Sequence, residues 1–101
     1  MNQAHLMAQV KKMQAEMAKA QEELATTVVT GSAAGGSVTV EMTCDQRVKS
    51  VKIAKEAIDP DDAETLEDLV LVAFNDAINK ANETSQARMG GVTGGLKIPG
   101  F

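Results

Sequence analysis

The chain has 101 residues, with 10 Lys plus Arg against 14 Asp plus Glu, for a formal net charge of -4. That length holds one domain with one modest core and excludes two independent ones. The acidic balance opposes long-range attraction to DNA or anionic membranes, and the single cysteine, Cys44, excludes an internal disulfide or a cysteine-based zinc site.

Residues 3 to 25 predict a first helix. Leu6, Val10, Met13, Met17, Ala20 and Leu24 repeat at alternating spacings of four and three, an a/d seam over nearly three heptads. Lys12, Glu16, Lys19 and Glu23 line the opposite side with alternating charge, and no Gly or Pro interrupts. The seam has two possible partners, the rest of the same chain or another copy.

Thr26 to Thr30 is β-branched throughout and predicts a short strand. Gly31 to Gly36 reads as a flexible connection. Ser37 to Thr43 alternates, with Val38, Val40 and Met42 on one face, as in a half-buried strand. Cys44-Asp45-Gln46 suits a tight turn. Arg47 to Ile53 predicts the returning strand. There Val48 is out of phase with Val51 and Ile53, and a bulge near Lys49 or Ser50 would bring all three inward.

Asp59-Pro60-Asp61-Asp62 predicts the start of the second helix, with Asp59 as N-cap and Pro60 at the first helical position. Leu66, Leu69, Val70, Ala73, Phe74, Ala77, Ile78 and Ala81 then form a wide apolar stripe. Gly90 is the expected stop. The domain is thus expected over 1–89, with a flexible Gly-rich tail over 90–101.

The expected fold class is α+β, a two-layer α-β-β-β-α domain with a three-stranded antiparallel meander and two long helices. Strands of about six residues are roughly 20 Å long, and a helix over residues 60–89 is about 45 Å. The helices should overhang the sheet, and a two-fold-related second copy is the simplest partner for the overhang. A homodimer is therefore expected.

Catalytic chemistry finds few components. His5 is the one histidine and lies near the N-terminus. Cys44 has no histidine near it in sequence, so no nucleophile–base pair is legible. Glu56, Asp59, Asp61, Asp62, Glu64, Glu67 and Asp68 are dense but lack the spacing of a calcium loop. The tail glycines lack the context of a phosphate loop. Met13, Met17 and Met42 read as packing residues. Phe74 and Phe101 are the only aromatic residues, too few for a base-stacking platform. No enzyme activity, cofactor, metal or small-molecule substrate is expected. The first residues do not form a secretory signal, and no apolar run approaches the roughly 20 residues of a membrane span. A cytoplasmic protein without membrane association is expected.

Charge distribution is more informative than net charge. Arg47, Lys49, Lys52 and Lys55 fall in a stretch with no acid, followed by the seven acids between Glu56 and Asp68. Local potential decides what a surface attracts within a Debye length of about 10 Å. The four are the leading candidates for phosphate contact. Lys11, Lys12 and Lys19 on the first helix and Lys80 and Arg88 on the second are a further set.

Several segments carry a family resemblance. These are the Met- and Gln-rich helix at 7–24, Thr30-Gly31 with Gly36 and Val38-Thr39-Val40, and Val48 to Ile53. More specific are Leu66-Glu67-Asp68-Leu69-Val70, Ala73-Phe74-Asn75-Asp76-Ala77, and Gly94-Gly95-Leu96 with Ile98-Pro99-Gly100. In order and spacing they resemble the YbaB/EbfC family of small bacterial nucleoid-associated proteins. The resemblance implies an α-β-β-β-α homodimer that binds double-stranded DNA in the nucleoid and has no enzymatic activity. The rival expectation is a protein-binding adapter using the acidic cluster, the overhanging helices or the tail.

Overall fold

The computed structural model describes residues 3–93, with side chains through residue 91. The order is α1 (Gln3–Thr26), β1 (Val28–Ala33), a 3₁₀ turn (Ala34–Gly36), β2 (Val38–Thr43), β3 (Val48–Ile53), a second 3₁₀ turn (Lys55–Ala57) and α2 (Ala63–Thr93). The sheet is an antiparallel meander ordered β1-β2-β3. The expected α-β-β-β-α architecture is what is observed.

The boundaries of β1 differ from expectation. The hydroxyls of Thr26 and Thr27 both donate to the Glu23 carbonyl, at 3.1 and 2.7 Å, and finish α1 rather than start a strand. Gly31, Ser32 and Ala33 belong to β1 instead of a loop. Gly31 faces α2 so closely that a Cβ there would lie 2.3 Å from the Ala73 carbonyl oxygen and 2.3 Å from the Ala77 nitrogen. Only the absent side chain lets strand and helix backbones meet.

The second helix also corrects its predicted ends. Asp59 is not its N-cap. Its carboxylate accepts the Asp61 N–H at 2.9 Å in a local turn. Asp62 caps the helix, accepting the Thr65 N–H at 3.3 Å and the Thr65 hydroxyl at 2.7 Å. Pro60 lies in the preceding turn, outside the helix. At the other end α2 continues through Gly90 and Gly91 to Thr93. Neither glycine adopts the positive φ that a C′ stop requires. Residues 94–101, most of the predicted tail, lie outside the described residues.

The core lies between α2 and the first two strands. Val38, Val40 and Met42 are buried, as their alternation predicts, against Ala33, Ala73, Ala77 and Ala81. Burying each of the two valines contributes about 2 kcal/mol. The small residues let α2 sit low on the sheet. A helix about 10 Å across spans two strands spaced about 4.8 Å apart. Accordingly α2 packs on β1 and β2 and scarcely touches β3.

The third strand carries the predicted bulge. Val40 pairs with Val51 and Met42 with Val48, with an irregularity that leaves Lys49 unpaired. Directly opposed residues share a face, so Val48, Val51 and Ile53 lie on the core face of the sheet. They remain 47%, 43% and 38% exposed because nothing among the described residues covers them.

Among the described residues, helix α1 is rooted at its C-terminal end. Ala20 and Leu24 are buried, and Met13 and Met17 are half-buried. Leu6, Met7 and Val10 stand in solvent. The seam is therefore split, its C-terminal end packing within the chain. The described residues span 70 × 24 × 16 Å.

Candidate nucleic-acid interface

The four leading cations follow β3. Arg47 precedes the strand, Lys49 is the bulge residue, Lys52 lies opposite Thr39, and Lys55 opens the following 3₁₀ turn. From 47 to 55 an extended chain covers about 25 Å. Thr39 is one residue out of phase with Val38 and Val40, so Lys52 stands on the face opposite the core. That face carries Thr30, Ser32, Thr39, Glu41 and Ser50, with no helix among the described residues laid across it.

Among the described residues, Lys49, Lys52 and Lys55 have no carboxylate within 4.0 Å, and all three are exposed. Arg47 is 3.6 Å from Asp45 with its own side chain 84% exposed. Such an exposed pair is worth little and yields readily to a phosphate. On α1, Lys11, Lys12 and Lys19 are likewise exposed and without a salt-bridge partner among the described residues.

Lys80 and Arg88 are differently placed. Lys80 donates to the Thr30 carbonyl at 3.0 Å and lies 3.1 Å from Asp76. Arg88 donates to Glu23 at 2.8 Å, fastening α2 to the root of α1. The Arg88 bond holds the Glu23 carboxyl below its usual range, and the same bond raises the guanidinium. The structure thus divides the nine sequence candidates into seven outward-facing cations and two engaged in the fold.

Three residues that matter here were not legible as functional. Asp76 accepts the Ser32 N–H at 2.9 Å as well as pairing with Lys80. The Ser32 N–H, then Lys80, hold its carboxyl below the ordinary range. Glu23 anchors Arg88, and Gly31 permits the contact between β1 and α2. The i,i+4 spacing of Asp76 and Lys80 was the available signal.

The acids from Glu56 to Asp68 are all exposed around the start of α2. No group of three or more His, Cys, Asp or Glu among the described residues is placed to hold a metal ion. Gln21, Leu24, Cys44, Asp45 and Ser85 line an open depression of about 370 Å³ where α1, the β2–β3 turn and α2 meet. No histidine lines it. No helix among the described residues is long and apolar enough to cross a membrane.

These features define a small α+β chain with one helix-covered sheet face, an open apolar border and cations strung along its last strand. The same fold is seen in the crystal structure of an uncharacterized Helicobacter pylori protein. The TM-score is 0.74 at 21% identity, covering 86% of this chain and 91% of that one. The model of the YbaB/EbfC DNA-binding family matches residues 1–96, and the chain belongs to that family. A Chloroflexus aurantiacus nucleoid-associated protein is 52% identical over 97 residues, 96% of this chain and 97% of that one. A Roseiflexus nucleoid-associated protein is 48% identical over 101 residues, the full length of both. One from Bacillus thuringiensis is 51% identical over 85 residues, 84% of this chain and 78% of that one.

Proposed function

We propose that this protein binds duplex DNA in the bacterial nucleoid as a homodimer, through phosphate contacts from Arg47, Lys49, Lys52 and Lys55. Lys11, Lys12 and Lys19 extend the contact along α1. Lys80 and Arg88 contribute little, since binding DNA would break their existing bonds. The observation that carries this reading is the absence of any carboxylate partner at Lys49, Lys52 and Lys55, among the described residues, in an otherwise acidic molecule. Contacts of this kind position a protein on DNA without reading its sequence. The expected affinity is in the non-specific range, about 10⁻⁴–10⁻⁶ M at physiological salt. No step of this function is enzymatic.

The dimer is supported by the uncovered core face at β3. A second copy laid on Val48, Val51 and Ile53 would complete the layer that α2 leaves unfinished. Lys52 would stay outside that contact because it faces the other side of the sheet.

The test is a titration of duplex DNA at several salt concentrations. Wild type should bind with a steep salt dependence. The quadruple Ala variant at 47, 49, 52 and 55 should bind more weakly, its log–log slope reduced by about 0.9 for each phosphate it no longer neutralises. Equal binding by the two proteins, or none by wild type at low salt, would end this reading.

The adapter reading is favoured by Leu6, Met7 and Val10 on the free half of α1. Capture of a protein partner that survives nuclease and is abolished in an L6S/V10S variant would support it.

A further inference from the structure

In an antiparallel strand the N–H and C=O of one residue point the same way, and successive residues point opposite ways. Val29, Gly31 and Ala33 alternate with Thr30 and Ser32 along β1. The backbone groups of Thr30 and Ser32 lie at its free edge, where the Ser32 N–H and the Thr30 carbonyl meet α2 side chains rather than β2. A free edge is a template on which another strand can add. This one is occupied at its centre. Ser32 N–H donates to Asp76 Oδ2 at 2.9 Å, and Lys80 Nζ donates to the Thr30 carbonyl at 3.0 Å. The two side chains are also joined to each other at 3.1 Å. Gly31 makes this reach possible by letting α2 ride against the strand. At the other edge, no described side chain hydrogen-bonds to the backbone of residues 48–53.

We infer that Asp76 and Lys80 form an edge guard that closes β1 to strand addition and confines self-association to the β3 side. The limit to two copies rests on the dimer proposed above; the closure of the edge does not. A two-fold contact through one side closes at two copies. If β1 could also pair antiparallel with β1 of another copy, each chain would have two associating sides and assembly would propagate. The guard therefore sets the size of the assembly without touching its contact surface.

The experiment compares full-length wild type with D76A/K80A, K80A and D76N by light scattering over a wide concentration range. Amide exchange at Ser32 is measured in parallel. D76A/K80A should lose about tenfold or more of its Ser32 protection when dilute and should form species larger than the wild-type assembly when concentrated. D76N keeps an acceptor for the Ser32 N–H and should behave as wild type. If D76A/K80A loses its helical circular dichroism, K80A is judged by its mass alone, since it frees the Thr30 carbonyl while Asp76 still holds the Ser32 N–H. An exposed Ser32 amide with unchanged mass at every concentration would overturn the guard. A monomeric wild type would refute the dimer alone, and the guard would then stand or fall on whether D76A/K80A associates.

Discussion

At β1 the sheet ends beneath side chains; at β3 it ends in the open. On the β1 side Gly31 brings the backbone against Ala73 and Ala77, and the outward Ser32 N–H and Thr30 carbonyl are bonded by Asp76 and Lys80. On the β3 side three apolar residues share the core face yet stay substantially exposed, while Lys49, Lys52 and Lys55 lack carboxylate partners among the described residues. A cation's role therefore depends on which flank it occupies. Lys80 completes the fold, whereas Lys49, Lys52 and Lys55 are available to a polyanion.

The strongest way to undo this contrast is to separate β1 from α2. Gly31→Val inserts atoms where even a Cβ would lie 2.3 Å from helix backbone. It should cost about 3 kcal/mol or more, read as a large fall in the urea midpoint. A midpoint near wild type would show that α2 does not need to sit so close.

Next in size is the open flank. Val51→Asp should leave the single chain folded, because this side chain is already 43% exposed. It should convert the proposed dimer to monomer in sedimentation. Ile58→Asp, at a comparably exposed site outside β3, should leave the proposed dimer intact. Equal effects from both would show that Val51 is not at the contact.

A smaller effect separates engaged from free cations. Arg88→Gln removes the bond to Glu23 on an exposed surface and should shift the urea midpoint only slightly. DNA affinity should change far less than in the quadruple β3 variant. A comparable drop in affinity would place Arg88 in the DNA contact.

The smallest expected effect is on pH dependence. Ser32 and then Lys80 hold the Asp76 carboxyl below its ordinary range of about 4, and Arg88 does the same for Glu23. A lowered folded-state value means the unfolded chain binds the proton more readily. Both contributions are therefore complete above the ordinary value and disappear as pH falls through the lowered ones. Stability of D76A measured from neutral pH into the acid range should fall less steeply than that of wild type. Parallel curves would remove Asp76 from the balance.

Much of this organisation is legible in the sequence where one physical rule dominates. The alternation of Val38, Val40 and Met42 marks β2 because burial on one face imposes a period of two. The phase error at Val48 marks the bulge because the apolar face must be kept. Elsewhere two rules compete. Asp59 and Asp62 are both competent caps, and Asp59 is taken up by a local turn. Gly90 permits a helix stop without compelling one. Gly31 reads as a loop glycine because the helix that approaches it lies more than 40 residues away in sequence. The candidate cations are visible as a charge run, but the separation of Lys80 and Arg88 from the others requires Thr30, Asp76 and Glu23 brought together by tertiary contact.

Helix α1 is a cantilever. Its 24 residues make a rod of about 36 Å, clamped where Ala20 and Leu24 are buried and Glu23 meets Arg88. A rod held at one end deflects least at the clamp and most at the tip. Lys19 therefore lies where bending of the rod would move it least, and Lys11 and Lys12 where it would move them more. In the proposed complex with DNA, this would let one molecule accommodate grooves of different width or curvature without altering its core.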